Sequence, residues 1–380
     1  MFTYFTNLNE LDFKNTSLKN TNDYSFNGAR LINTLYLSYN HLTKLCNMMF
    51  YGAFELGYID LSHNQLNDVE ELAFYGLKML NSLDLSHNML KTLPEKCFNS
   101  LEGLYSLSLS HNFLDDIQDE MFIDNLFLTK VDFSNNSLTQ LDKKIFRYNK
   151  NIRILNVADN NLVDVEFLNF MDNNRLEDLT LSNNVLSSFN FKILRTMKNL
   201  RKLNISYTGL EVQEIELFGL KNLYLLDLSG NKLNNQHMNT SFTLENLTIM
   251  FCNSCGLTTL DYKTVLKIYP NLKYIGIAEN EWHCSYLKQL EHNFKKCGIE
   301  MDETNSSCTK SSNHSKVNEK QDSCIDELAL ARIQTKKRID NRLSHIKEQM
   351  KTEITEYMLK KNAELTDAII KNTENLLNNI

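Results

Sequence analysis

Apolar positions recur along this chain with a long, even period. A leucine-like residue at Leu8 is followed by others at Ile32, Leu56, Leu80, Leu104, Leu128, Ile152, Leu176, Leu200, Leu223, Leu247 and Leu272. The first eight steps are 24 residues each, and the last three are 23, 24 and 25. The pattern LxxLxLxxNxL at such a period marks a solenoid of stacked coils, here of twelve units. One unit reads Leu80, Leu83, Leu85, Asn88, Leu90. With the leading residue as offset 1, the residues at offsets 1, 4 and 6 are expected to point inward from a short strand and stack on their counterparts in adjacent coils.

Two further columns add detail. Offset 9 carries Asn40, Asn64, Asn88, Asn112, Asn136, Asn160, Asn184, Asn231 and Asn280, with Thr16, Thr208 and Cys255 as departures. At the exit from a strand, an amide can satisfy backbone groups that burial would otherwise leave unpaired. Phenylalanine recurs every 24 residues at Phe26, Phe50, Phe74, Phe98, Phe122, Phe146 and Phe170. This column predicts an aromatic stack under the back of the coils, each ring contributing about 2–3 kcal/mol of burial. The pattern resembles the leucine-rich-repeat solenoid. That resemblance implies an α/β horseshoe lined on its concave face by a parallel sheet.

After the last unit the chain reads Asn280-Glu-Trp282-His-Cys284-Ser-Tyr-Leu287, then Cys297, Cys308 and Cys324. This segment resembles the C-terminal cap of extracellular leucine-rich-repeat proteins, which implies that disulfides among Cys284, Cys297, Cys308 and Cys324 close the open end. Four cysteines allow three pairings. Zinc fits poorly, since no CxxC occurs among the four. Cys252 and Cys255 do form a CxxC, but at inward offsets, where they read as small apolar core residues; Cys46 and Cys97 read as lone structural thiols. Seven residues before Leu8 are too few to cover the first coil, so a signal peptide and an N-terminal cap are expected upstream of Met1.

Residues 301–323 are polar, and residues 325–377 lack Gly and Pro while being rich in Glu, Lys, Leu and Ile. Ile339, Leu343, Ile346 and Met350, then Ile354, Met358, Leu365 and Ile369, follow 3/4 spacing with a phase shift near Ile354. A helical, coiled-coil-like tail is expected, pairing with a second helix in a homo- or heterodimer or folding back on the solenoid. The domain reading is therefore a repeat array over 1–280, a cysteine-containing cap over 281–324 and a helical tail over 325–380.

Charge narrows the partner class. Forty Lys and Arg against 47 Asp and Glu leave a mixed −7, with no basic field to hold nucleic acid. No apolar run is long enough to span a membrane. N-x-S/T sequons occur at Asn15, Asn135, Asn204, Asn239, Asn246, Asn305 and Asn313, each a glycan acceptor if the chain is extracellular.

The outward positions are the candidate binding surface. Offset 8 carries Tyr39, His63, His87, His111, Asn135, Asp159, Asn183 and Tyr207, read here as outward places on adjacent strands. Three neighbouring histidines have the chemistry for metal binding or a pH response, although Ser-His-Asn is also what such repeats favour. Tyr36, Tyr39 and Tyr58 lie near one end of the same face and Tyr207 and Tyr274 near the other, and tyrosine suits protein interfaces. No GxSxG, HExxH, P-loop or GxGxxG motif is present. These features favour a protein-binding chain without catalytic, cofactor or metal residues.

Taken together, the 24-residue units, the Trp-x-Cys cap and the helical tail resemble the secreted leucine-rich-repeat immune proteins of insects. The resemblance implies a disulfide-linked complex, with Cys308 or Cys324 bridging chains, that holds a thioester-containing, complement-like partner. Two features depart from that family: the tail is shorter, and no adjacent cysteine pair precedes it. A receptor ectodomain and a non-secreted scaffold are the alternative expectations.

Overall fold

The computed structural model describes residues 8–170, 175–186, 191–212, 217, 219–233 and 243–302. The chain divides into one unit of residues 1–295 and 299–313 and a second of residues 296–298 and 314–380. The expected tail, with Cys308, Cys324, Asn239, Asn305 and Asn313, lies outside the described residues.

Each coil contributes one strand to a single parallel sheet, which holds thirteen strands among the described residues, from Glu10–Asp12 to Glu300–Met301. Most of these strands are three residues long, covering offsets 3–5, and neighbours pair in the register of the repeat. Ser82, Leu83 and Asp84 stand opposite Ser106, Leu107 and Ser108. Alternation within the strand turns the middle residue inward, so Leu35, Leu83, Leu107 and Leu155 are buried while their neighbours face out.

The asparagine column ties the coils together. Asn112 Nδ2 donates to the carbonyls of Leu109 and Ser110 in its own coil and to Leu85 of the preceding one, at 3.0, 3.3 and 3.0 Å. Its Oδ1 accepts from Leu90 N–H at 3.0 Å. The same set recurs at Asn64, Asn88, Asn136, Asn160 and Asn184. Where the column departs from Asn, the cross-coil contact changes: the threonines reach the following coil and the cysteine the preceding one. Thr208 Oγ1 donates to Asn231 Oδ1 at 3.0 Å, Thr16 does the same toward Asn40 at 3.2 Å, and Cys255 Sγ lies 3.3 Å from Leu228 O.

The phenylalanine column forms as expected over most of its length. Phe26, Phe50, Phe74, Phe98, Phe122 and Phe146 stack in sequence with centroids 5.5–6.0 Å apart. Phe133 packs against both Phe122 and Phe146 from the strand side. The ring beyond Phe146 is Phe167, at 6.4 Å and edge-on, inside a 3-10 turn at Glu166–Phe170; the side chain of Phe170 lies outside the described residues. Phe146 thus meets a ring of the 3-10 turn edge-on rather than stacked.

Beyond the last full coil, α1 (Tyr262–Ile268) is followed by the strand Tyr274–Gly276 and by α2 (Cys284–Lys296). Trp282 is 1% exposed and donates its indole N–H to Ile277 O at 2.9 Å, so the only tryptophan is a core plug with its polar atom satisfied. Leu287, Leu290 and Phe294 bury one side of α2 over the end of the core. No helix among the described residues is long and apolar enough to cross a membrane.

Removing the Asn112 side chain leaves buried carbonyls and the Leu90 N–H without partners. Asn112→Ala should cost about 2–4 kcal/mol, and Asn112→Thr less, because threonine already serves at offset 9 elsewhere. Phe98→Ala should cost about 3–5 kcal/mol. Urea unfolding of the full chain, with hydrogen exchange at Leu90 and Leu114 as a local readout, distinguishes lost linkage from general loosening.

Candidate binding face

Outward side chains come from two strand positions per coil, offsets 3 and 5, most of them half-buried or exposed, with Asp60 buried at 8% exposure. Offset 5 is often an acid whose Oδ1 is held internally. Asp60 Oδ1 accepts from Ser62 N–H at 3.0 Å and from the Ser62 hydroxyl at 2.7 Å, and Asp84 and Asp132 take the Ser86 and Ser134 N–H at 2.9 Å. This clamp shapes the exit from the strand. It also orients a row of carboxylates on the sheet face.

The expectation that offset 8 lies on the strands is corrected by the structure. Each strand ends at offset 5, and offset 8 falls in the turn beyond it. Tyr39, His63, His87, His111, Asn135, Asp159, Asn183 and Tyr207 all have φ between 52° and 57°. This left-handed region costs most L-residues about 1–2 kcal/mol and is best tolerated by Gly, Asn, Asp and His. The sequence carried that signal in the concentration of these residue types at one offset. Gly230 occupies the equivalent place with φ 69°, and a Cβ there would meet the Tyr207 ring at 2.2 Å. Tyr207 is thus laid over the next coil.

Left-handed turns one coil apart present their side chains in parallel. Tyr39, His63, His87 and His111 form one stack with centroids 4.3, 4.1 and 4.0 Å apart and ring planes within 9–11°. Imidazole lone pairs lie in the ring plane, so parallel rings aim them side by side rather than at a common point. No group of three His, Cys, Asp or Glu able to hold a metal occurs among the described residues. Burial, with the like charges of His111 and His63, holds the His87 imidazole below its usual range.

The tyrosines separate into distinct groups. Tyr36 and Tyr58 sit on adjacent strands with centroids 5.6 Å apart, and Lys14 Nζ lies 3.7 Å above the Tyr36 ring. Burial, then Asp60 and Asp84, push the Tyr58 hydroxyl up to about 12. Tyr39 belongs to the histidine stack instead. At the other end Tyr274 packs against Phe251 at 5.4 Å. Phe251 escaped the sequence reading because its offset carries an acid in so many other units.

Of the cap cysteines, Cys284 opens α2 and Cys297 is buried. Cys252 and Cys255 are 0% and 2% exposed, and burial raises both thiols well above the ordinary range, so the CxxC is a core pair. Among the sequons, Asn15 and Asn246 are exposed, whereas Asn135 is half-buried in the turn column and Asn204 half-buried on the sheet face. Asn204 Oδ1 is engaged by Ser206.

A lowered His87 pKa has a definite sign. In the unfolded chain this histidine protonates near pH 6.5, before it does so in the fold, so its contribution disfavours the fold as pH falls from neutral through that value. The thermal midpoint should drop more between pH 7.5 and 5.5 for the wild type than for His87→Asn, whose side chain suits the same positive φ. An NMR titration placing His87 at or above the unfolded value would contradict this.

A family model described as "BspA type Leucine rich repeat region (6 copies)" matches residues 1–88, 23–153 and 91–224, more than half of the chain. No curated protein matches by sequence. Among solved structures, an internalin from Listeria monocytogenes is similar at 16% identity and TM-score 0.60, covering 77% of this chain and 80% of that one. A Leptospira interrogans LRR protein is similar at 21% identity and TM-score 0.57, over 79% and 85%. The leucine-rich repeat domain of APL1B is similar at 21% identity and TM-score 0.56, over 82% and 91%. The coil geometry and these matches agree: the chain belongs to the BspA-type leucine-rich-repeat family.

Proposed function

We propose that this chain is an extracellular recognition protein that binds a protein ligand on its sheet face. The observation that carries the proposal is the division of labour in each coil. Core packing and the cross-coil amide links use offsets 1, 4, 6 and 9, whereas offsets 3 and 5 of the strands and offset 8 of the turns turn away from the core and carry varied side chains. Grouped aromatics at both ends of that surface, Tyr36 with Tyr58 and Phe251 with Tyr274, are the natural anchors. Another structural neighbour, a TLR13 complex at TM-score 0.55 and 19% identity, is a complex with ssRNA13. A face rich in carboxylates is unsuited to phosphate, which favours a protein ligand in this chain.

The extracellular assignment is supported by the Trp282 plug and by the cysteines Cys284 and Cys297 placed at and beside α2, which suit a disulfide-closed end. The insect-immune reading rests on the sequence resemblance of cap and tail. It extends the proposal to a disulfide-closed cap, to chains joined through residues 325–380, and to a complement-like partner.

Two measurements on the full chain test this reading. A disulfide-linked, glycosylated protein should shift between reducing and non-reducing gels and run faster after glycosidase treatment; no change in either overturns the extracellular assignment. Capture of partners from the extracellular fluid of the organism should fall about tenfold in Tyr36→Ala/Tyr58→Ala, the loss of two interface anchors, and persist in the back-face control Tyr51→Ala/Tyr75→Ala. Equal capture by both variants removes the sheet face from the proposal.

A further inference from the structure

We propose that the N-terminal part of the sheet face docks a basic segment of a protein partner, with an Arg or Lys side chain seated on the Tyr58 ring beside Asp60 and Asp84. The proposal rests on the protein-binding reading above and names the chemistry of the partner.

Charge is distributed unevenly between this face and the rest of the chain. Across the twelve units, offsets 3, 5 and 8 carry nine carboxylates and two lysines, although the whole chain holds 47 acids against 40 bases. One of those lysines, Lys202, is already paired with Asp178 at 3.4 Å. Basic side chains are thus placed mostly elsewhere.

Within the face, Asp60 and Asp84 are directly opposite each other on adjacent parallel strands. Like charges in that arrangement repel, and a cation beside them would relieve the repulsion. Each has one oxygen engaged by a serine N–H, and among the described residues neither forms an ion pair; Asp60 is 8% exposed and Asp84 half-buried, so Asp84 is the more accessible of the two. Tyr58, half-buried, precedes the largely buried Asp60 by two residues on the same side of the strand, and its ring packs at 5.6 Å from Tyr36. The fold already shows what such a ring accepts: Lys14 Nζ sits 3.7 Å over Tyr36. Burial is the main cause of the raised Tyr58 pKa, and Asp60 and Asp84 add to it.

A divalent metal suits the place less well. Calcium takes six to eight oxygens, and here two carboxylates each have one oxygen committed to the backbone. A guanidinium or ammonium needs only a ring face and one free carboxylate oxygen.

Asparagine can replace these aspartates without loss of the clamp. Asn204 Oδ1 accepts from Ser206 N–H at 3.0 Å and Asn156 Oδ1 from Ala158 N–H at 3.1 Å, so the acceptor is kept when the charge is removed. The experiment uses the full chain and a fluorescent nona-arginine peptide, with nona-glutamate as the opposite probe, read by fluorescence anisotropy at low and moderate salt. Asp60→Asn/Asp84→Asn should weaken nona-arginine about tenfold, and Tyr58→Leu severalfold. The control Asp116→Asn/Asp119→Asn, in an acidic cavity of about 500 Å³ away from the sheet face, should stay within about twofold. Equal losses in the two double variants, or none in either, overturn the proposal by showing binding to be diffuse or elsewhere. If Tyr36→Ala/Tyr58→Ala loses its partner while Asp60→Asn/Asp84→Asn binds nona-arginine unchanged, only the basic-segment proposal falls. Unchanged capture by the tyrosine variant instead removes the face itself.

Discussion

A buried amide must be fully paired, and in this molecule half of the pairing is available only across coils. Each asparagine at offset 9 gives its N–H groups to carbonyls of two coils and accepts from an N–H of the preceding coil. A coil that slipped by one residue would leave those groups unpaired at about 1–3 kcal/mol apiece. The period, the parallel register and the one-strand-per-coil topology all satisfy this demand. Thr16, Thr208 and Cys255 show that the demand is for a donor and a compact shape rather than for asparagine itself.

Two other features follow from that linkage. The chain must turn sharply to present the amide to the core, which places offset 8 in the left-handed region in coil after coil. Side chains there are forced into parallel, so histidines that look like a metal site in sequence become a stack of rings about 4 Å apart. On the opposite side, phenylalanines stack at nearly 6 Å, so ring spacing is wider at the back of the coils than at the strand edge. Both columns are consequences of the same repeat, read at two distances from its strand.

The repeat was legible in the sequence because its physics is local and repeated. Leucine at offsets 1, 4 and 6 and phenylalanine every 24 residues each declare a buried position many times over. Single places were less legible. Phe167 packs edge-on beside Phe146 from within a 3-10 turn, and no periodicity encodes that. The turn conformation at offset 8 was written in its preference for Asn, Asp, His and Gly, yet alternation from the strand suggested an outward strand position. Of the binding face, the tyrosines could be placed, but their grouping could not. Tyr36 meets Tyr58 and Lys14, while Tyr39 joins the histidines, because offsets 5 and 8 belong to different columns.

Function is harder to read because the frame consumes the recognisable residues. Neighbours at 16–21% identity share the coil over most of their length, so the fold is kept while most residues differ. What differs between such proteins must lie at offsets the frame leaves free. In this chain those offsets are not random, since acids outnumber lysines there while the chain as a whole is nearly balanced. An outward row of carboxylates is costly to hold on adjacent strands unless it serves something. The serine clamps account for one oxygen of each Asp60 and Asp84. Asn156 and Asn204 provide the same clamp without a charge. The strand exit therefore needs an acceptor but not an anion, and the negative charge at Asp60 and Asp84 calls for an explanation outside the fold.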